Sequence, residues 1–391
     1  MSKEKKYILK EDGSFLIKNY NQTHPFSNFL PGIAGVWGVP SWVFYVNRNQ
    51  AIVSFGIQDK DHCILEFFPA NKSYWLVSSC GFRTFLRINH HLYYEPFRND
   101  KNIEQWMVIK SSFLEIKEIN YKLGLQFCVK YFTLPNFSVG ALIRILKIKN
   151  ISIKKVNLEI LDGLQRIVPF GSRNLFLKDL SRTLEAWMHS FIYPKYVLFR
   201  LTVDPQDSSD TKYIEGASFN CAFYEDNNKT KFPLFIADPE VVFGKDTSYS
   251  FPQGFFDKDF KRKIPQITCG KTPSSFGFFM WDLEPNKEKV FYSVFGASFY
   301  KNLIQDLIFK MNSQFIKKKE EENEEIVERI KNNAFCVSGK KEFNHYIRCS
   351  YLDNILRGGY PYTIKNNKKN KIYYVFSRKH GDLERDYNKF K

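Results

Sequence analysis

The chain has 391 residues, 43% of them hydrophobic and 17% aromatic, with 39 phenylalanines and 22 tyrosines; this is material for a large core and excludes a disordered chain. Its 58 Lys and Arg against 41 Asp and Glu give a net charge of +17, yet the excess is diffuse, and the densest basic run, Lys317–Lys319, is followed at once by Glu320–Glu322. Such a distribution predicts no specific nucleic-acid partner. No apolar run approaches the roughly 20 residues of a membrane span, and Met1–Phe15 lacks the apolar stretch of a signal peptide. Seven cysteines without a CxxC pair do not read as a disulfide framework or a zinc site, so a soluble, reduced, cytoplasmic protein with no membrane partner is expected.

From about Tyr7 to Phe299 the chain is a series of short runs rich in Val, Ile, Phe and Tyr: Ile52–Ile57, Cys63–Phe68, Phe82–Ile88, Phe113–Ile119, Leu123–Phe132, Val139–Ile148 and Val156–Leu161. Turn pairs such as Asp12-Gly13, Pro31-Gly32 and Asp162-Gly163 punctuate them. Within 138–149, Val139, Ala141, Ile143, Ile145 and Ile148 fall mostly on one side, with Arg144 and Lys147 between them. Closely spaced strands without alternating helices predict a mainly β, antiparallel sandwich over residues 1–299. One helical insert is expected at Phe176–Met188, where Leu180, Leu184, Trp187 and Met188 keep helical spacing.

After Phe299 the period changes. Leu303, Ile304, Leu307, Ile308, Met311 and Phe315 recur at three- and four-residue steps, and the pattern runs on to Asn332 as a helical linker, residues 300–338. Beyond Gly339, the residues Phe343, Ile347, Leu352, Ile355 and Leu356 mark another helix, stopped by Arg357-Gly358-Gly359-Tyr360-Pro361. Its apolar face needs a partner. A short strand (Ile372–Phe376) and a polar turn (Ser377–Lys391) follow, so residues 339–391 read as the beginning of a helical domain.

Several chemical motifs fail on inspection. Gly270-Lys271-Thr272 mimics the end of a phosphate-binding loop, but the required glycine is Pro265, and Pro273 removes a backbone donor where a helix should start. Gly296-Ala297-Ser298 suggests a nucleophile elbow, yet Tyr300 stands at the closing glycine. On a strand, His90 and His91 would point to opposite faces and could not share a metal. Motif chemistry alone names no catalytic residue and no metal ligand.

Two long stretches carry more. The first spans Pro25–Ala70 and includes Phe26-Ser27-Asn28-Phe29-Leu30-Pro31-Gly32 and Trp37-Gly38-Val39-Pro40-Ser41-Trp42. The second is Tyr351–Pro361 followed by Tyr374–Asn388. Together they resemble the N-terminal part of the cellobiose-phosphorylase-like glycoside phosphorylases (glycoside hydrolase family 94 and close relatives), most of all the larger members acting on β-glucan oligosaccharides. Leu161–Leu164, Ile167–Gly171 and Lys271–Phe276 resemble the sandwich domain of that family.

The resemblance implies a super-sandwich, a helical linker and an (α/α) six-hairpin barrel, of which this sequence would hold only the first helices. It also implies phosphorolysis of a β-glucosidic bond with inversion, with inorganic phosphate as co-substrate and no cofactor or metal. One carboxylic acid protonates the leaving oxygen, and phosphate replaces the activated water of an inverting hydrolase. The general acid and the phosphate site of the family would lie beyond Lys391. The resemblance therefore implies an N-terminal fragment, inactive alone, with no catalytic residue assignable.

Substrate-binding candidates are Arg357, Arg378, His380, Asp382, Arg385 and Asp386, whose planar or charged groups suit sugar hydroxyls or phosphate oxygens. Each has a plain alternative: Asp382 as a helix N-cap and Arg357 as a helix C-terminal cation. The Trp37–Trp42 region could stack on a glucan or simply be buried. The partners expected are a β-glucan or cello-oligosaccharide, and either a second copy of the chain or a complementary barrel polypeptide. A non-catalytic carbohydrate-binding module is the alternative reading, and a basic nucleic-acid-associated protein a weaker one.

Overall fold

The computed structural model describes residues 6–31, 38–206, 208–227, 229–257, 260, 265–334, 336–358, 360–366 and 369–375. Every strand pairing within its sheets is antiparallel. The large sheet has 11 strands among the described residues. Its order is Tyr7–Leu9, Phe15–Lys18, Glu104–Ile109, Leu114–Asn120, Leu125–Thr133, Gly140–Asn150, Glu288–Ser298, Ala217–Asp226, Tyr196–Leu201 and Met188–Ile192, with Lys229–Lys231 paired to the end of Ala217–Asp226. A second sheet runs Leu234–Ile236, Ser275–Leu283, Val156–Leu164, Phe82–Ile88, Leu92–Tyr94, and a third Ser27–Leu30, Ser41–Val46, Ile52–Ile57, Cys63–Leu65. The main core lies between the large sheet and these two: Phe127, Val129 and Leu146 meet Leu86, Leu158, Ile160, Val43 and Phe55.

Seven helices are described. They are α1 (Ala70–Cys80), α2 (Asn174–Asp179), α3 (Pro239–Phe243), α4 (Gln253–Phe256), α5 (Lys301–Lys310), α6 (Ser313–Asn332) and α7 (Lys341–Gly358). Ile304, Leu307 and Ile308 of α5, with Ile316 of α6, cover the outer face of the large sheet through Ala141, Ile143, Phe219 and Val294. This explains why Gly140–Asn150 is apolar on both sides. Val139, Ala141, Ile143 and Ile145 face the helices, and Leu142, Leu146 and Ile148 face the other sheets. On the far side, α3 and α4 place Val242, Phe243 and Phe255 against Phe85, Phe276 and Phe278. The molecule is thus mainly β, with large antiparallel sheets followed by C-terminal helices.

Several local expectations are corrected. Arg144, expected on a polar side, is fully buried and pairs with Asp162 at 2.5 Å. Asp162-Gly163 is no turn but lies inside the strand Val156–Leu164, paired on both edges. His90 and His91 sit at a hairpin turn, with Asn89 and His90 at positive φ, rather than along a strand. The insert at Phe176–Met188 is an α-turn ending at Asp179 and a 3-10 stretch, Ser181–Trp187, that passes into a strand. The run from Cys63 leaves the sheet after Leu65 and turns through Pro69 into α1, a helix whose buried stripe of Ser73, Val77 and Cys80 is too polar to read as amphipathic. The linker pattern is two helices, not one, because Met311 is extended and Asn312 begins α6 anew. Finally, Tyr360–Asn366 pairs with Lys369–Val375 as a two-stranded hairpin directly after α7.

Candidate functional site

A cleft of about 880 Å³ opens between α7 and the edge of the sandwich. One wall is α7, with Glu342, His345, Tyr346, Cys349, Asp353 and Asn354; the other is the first hairpin, at Leu9, Gly13 and Phe15, with Ile109–Ser111 beside it. Its floor is Phe26, Asn28, Phe29, Leu30, Pro31 and Tyr45. Gly13 has φ +77, and a Cβ there would stand 2.8 Å from Nδ1 of His345. Only glycine meets both the turn and the close approach of α7.

Packing of α7 on α6 holds the cleft open. Leu352 and Leu356 bury against Ile326, Val327 and Ile330. Arg348 donates to Glu328 at 2.9 Å and to Asn332 at 2.7 Å, and Lys331 donates to Glu328 at 2.7 Å. Burial alone would raise the Glu328 carboxyl, but Lys331, Arg348 and Lys110 outweigh it and hold its pKa below the ordinary value. Lys110 in turn pairs with Glu324, which ties α6 to the strand edge that lines the cleft. The apolar face of α7, which needed a partner, therefore finds part of one in the linker helix itself. Tyr346 remains 68% exposed. The lining combines open aromatic surface with amide, carboxylate, imidazole and ammonium groups, a set suited to a polyhydroxylated ligand.

The sequence-derived candidates meet the structure unevenly. Arg357 lies in the last turn of α7, a few residues beyond the cleft-lining Asp353 and Asn354. Arg378, His380, Asp382, Arg385 and Asp386 lie outside the described residues, as does Trp37. Trp42 is buried, edge-on to Phe67 at 5.9 Å, and its Nε1 donates to the Asp59 carbonyl at 3.1 Å. Lys271, in the false phosphate loop, is held by Asp238 at 3.1 Å and Glu240 at 2.7 Å. Sequence reasoning missed the N-terminal wall, Glu342, His345 and Tyr346. The weak signal for the helical part was the polar spacing of these three residues around Phe343 and Ile347.

No protein-family model matches the chain, and no curated protein matches it. Among solved structures it is similar to a human-microbiome protein assigned as a kojibiose phosphorylase, at 8% identity and a TM-score of 0.43, over 90% of this chain and 42% of that one. It is similar to a bacterial glucoamylase in complex with acarbose, at 9% identity and a TM-score of 0.41, over 87% of this chain and 46% of that one. A polysaccharide lyase is similar at 10% identity and a TM-score of 0.39, over 70% of this chain and 34% of that one. These are distant similarities, and the chain spans less than half the length of each of the three.

Proposed function

We propose that the chain is the sandwich-and-linker portion of a phosphorolytic, β-glucan-handling enzyme of the cellobiose-phosphorylase-like group, and that the cleft beside α7 takes a β-glucan or cello-oligosaccharide. One observation carries this reading. The two stretches that resemble the family, some 300 residues apart, come together in this cleft: Phe26, Asn28, Phe29 and Pro31 from the first, Leu352, Asp353 and Asn354 from the second. In the reaction, phosphate attacks the anomeric carbon as the bond to the leaving sugar oxygen breaks, and a carboxylic acid protonates that oxygen. None of the carboxylates of this chain is assigned as that acid; the proposal places it on a barrel polypeptide that works with the chain.

Calorimetric titration with cello-oligosaccharides should give saturable binding that Tyr346→Ala weakens roughly tenfold, the loss of about one stacking contact. In phosphate buffer the chain alone should release no glucose 1-phosphate, and release should begin when a polypeptide carrying the family barrel is added. Absence of any oligosaccharide binding overturns the proposal; turnover by the chain alone moves the proton donor into it. The exposed ring of Tyr346, in a cleft also lined by Phe15 and Phe26, favours a second reading as well, a binding module without catalysis. That reading holds if oligosaccharides bind and the barrel polypeptide neither associates nor restores turnover.

A further inference from the structure

Away from this cleft, a cavity of about 420 Å³ is lined by Arg200, Glu215, Tyr300, Lys301 and Asn302. Strand register explains why these residues meet. Ala217 lies opposite Ser298 and Phe199 opposite Ser218, so Arg200, Glu215 and Tyr300 all stand at the same end of three neighbouring strands of the large sheet. Two aromatic rings position the cations. The Arg200 guanidinium lies over Phe191, 5.0 Å from the centroid, and its Nη1 donates to the Ile214 carbonyl at 2.8 Å. The Lys301 ammonium lies over Tyr193 at 5.8 Å, and Tyr193 stacks on Tyr196 at 4.6 Å. Among the described residues, neither cation reaches ion-pair contact with a carboxylate, and Glu215 reaches none with a cation. The cavity is open to solvent: Arg200 is half-buried, Glu215, Lys301 and Asn302 are exposed, and Tyr300 is 61% exposed.

The lining selects the chemistry of a ligand. Two cations without counter-charges, held on one cavity, attract an anion, and a guanidinium with free N–H groups favours carboxylate or phosphate oxygens. Glu215 repels a bare anion, but it accepts from a hydroxyl group, and the Asn302 amide both donates and accepts. The ligand that serves all four groups therefore carries hydroxyl donors beside its negative charge. An ammonium compound would face both cations, and a neutral sugar would leave them unmatched. The open ring of Tyr300 offers an apolar face for the C–H side of a sugar. The volume lies near the lower end of ligand pockets, about 300–1,000 Å³, which suits one ring better than a chain.

We infer that this cavity binds an acidic monosaccharide, with its carboxylate or phosphate between Arg200 and Lys301 and its hydroxyl groups toward Glu215 and Asn302. The site is separate from the cleft beside α7 and does not need the phosphorylase reading.

Glucuronate and glucose 6-phosphate, titrated calorimetrically, are the probes, with glucose and inorganic phosphate as controls. At least one of the two sugar anions should bind saturably, the tighter naming the acid group, and both controls should bind at least roughly tenfold more weakly. Arg200→Gln and Lys301→Gln should each weaken the sugar anion roughly tenfold. Lys301 is exposed, so its variant stays informative if loss of the Arg200 bond to Ile214 harms folding. Glu215→Ala should act in opposite directions, weakening the sugar anion and strengthening inorganic phosphate, which a general loss of structure would not do. Failure of both sugar anions to bind, binding unchanged in Lys301→Gln, or a control binding as tightly as the sugar anion overturns the site. Tyr346→Ala should leave this binding unchanged, and its loss there would move the ligand to the α7 cleft and overturn the inference. Cello-oligosaccharide binding at that cleft is read with a different ligand, so the two assignments fail separately.

Discussion

Arg144 and Asp162 show how far single residues depend on the packing around them. Arg144 Nη1 donates to Asp162 at 2.5 Å and Nη2 to Gln50 at 2.7 Å, while Thr84 donates to Asp162 at 2.6 Å and Tyr131 to the Gln50 carbonyl at 2.9 Å. Four of these five residues come from two sheets, and Gln50 from the turn that joins Ser41–Val46 to Ile52–Ile57, so the network ties the large sheet to the other two. Burial would drive the proton off Arg144, but Asp162 and Tyr131 more than offset it and raise its pKa above the ordinary value. Asp162→Asn would leave a fully buried guanidinium without its counter-charge, and should cost about 3–5 kcal/mol of stability in urea unfolding. A loss under about 1 kcal/mol would show that the amide and hydroxyl neighbours suffice. Beside it, Gly163 at φ +155 brings the strand so close to its neighbour that a Cβ would lie 2.0 Å from the Ser275 carbonyl oxygen. The dipeptide Asp-Gly has the composition of a turn but serves a buried strand.

At the level of elements, periodicity was a good guide where one face alone decides burial and a poor one elsewhere. Ile52–Ile57 and Phe82–Ile88 end where the runs of β-branched and aromatic residues end. The linker was legible as helix but not as two helices. Asn312 Oδ1 accepts from the Phe315 amide at 2.8 Å, so it caps α6 and separates it from α5, while hydrophobic spacing continues across the break. Asn312→Ala should lower stability by about 1 kcal/mol without altering the fold, measured by urea unfolding with unchanged circular dichroism. No change would mean that the burial of Ile316 under α5 sets the helix start unaided. Helix α1 was invisible because small and polar residues make up much of its buried stripe.

At the scale of the whole molecule, the net charge of +17 is spread rather than gathered. Lys130 pairs with Glu320 at 2.9 Å, Lys155 with Glu284 at 3.2 Å, Lys231 with Asp226 at 2.6 Å and Lys319 with Glu322 at 2.7 Å, on different parts of the surface. The densest basic run, Lys317–Lys319, is followed at once by Glu320–Glu322, which leaves no long basic run to displace counterions together. Binding to duplex DNA should therefore be weak, indifferent to sequence and gone by about 0.2 M salt in a filter or anisotropy assay. Sequence-dependent retention at that salt would restore the nucleic-acid reading. Among the described residues no helix is long and apolar enough to cross a membrane.

By itself, the sequence determined the β character of residues up to about 299 and the change to helical spacing after it, because strand and helix periods and turn residues are local properties. The meeting of Phe26–Pro31 with Leu352–Asn354 was beyond its reach, since contact across some 300 residues depends on how whole layers stack. Only the tertiary structure decided that Arg144 faces inward and that α7 folds back on α6. A strand covered on both sides has no polar face to report its orientation, and a charge is buried or exposed according to partners that lie far away in the chain.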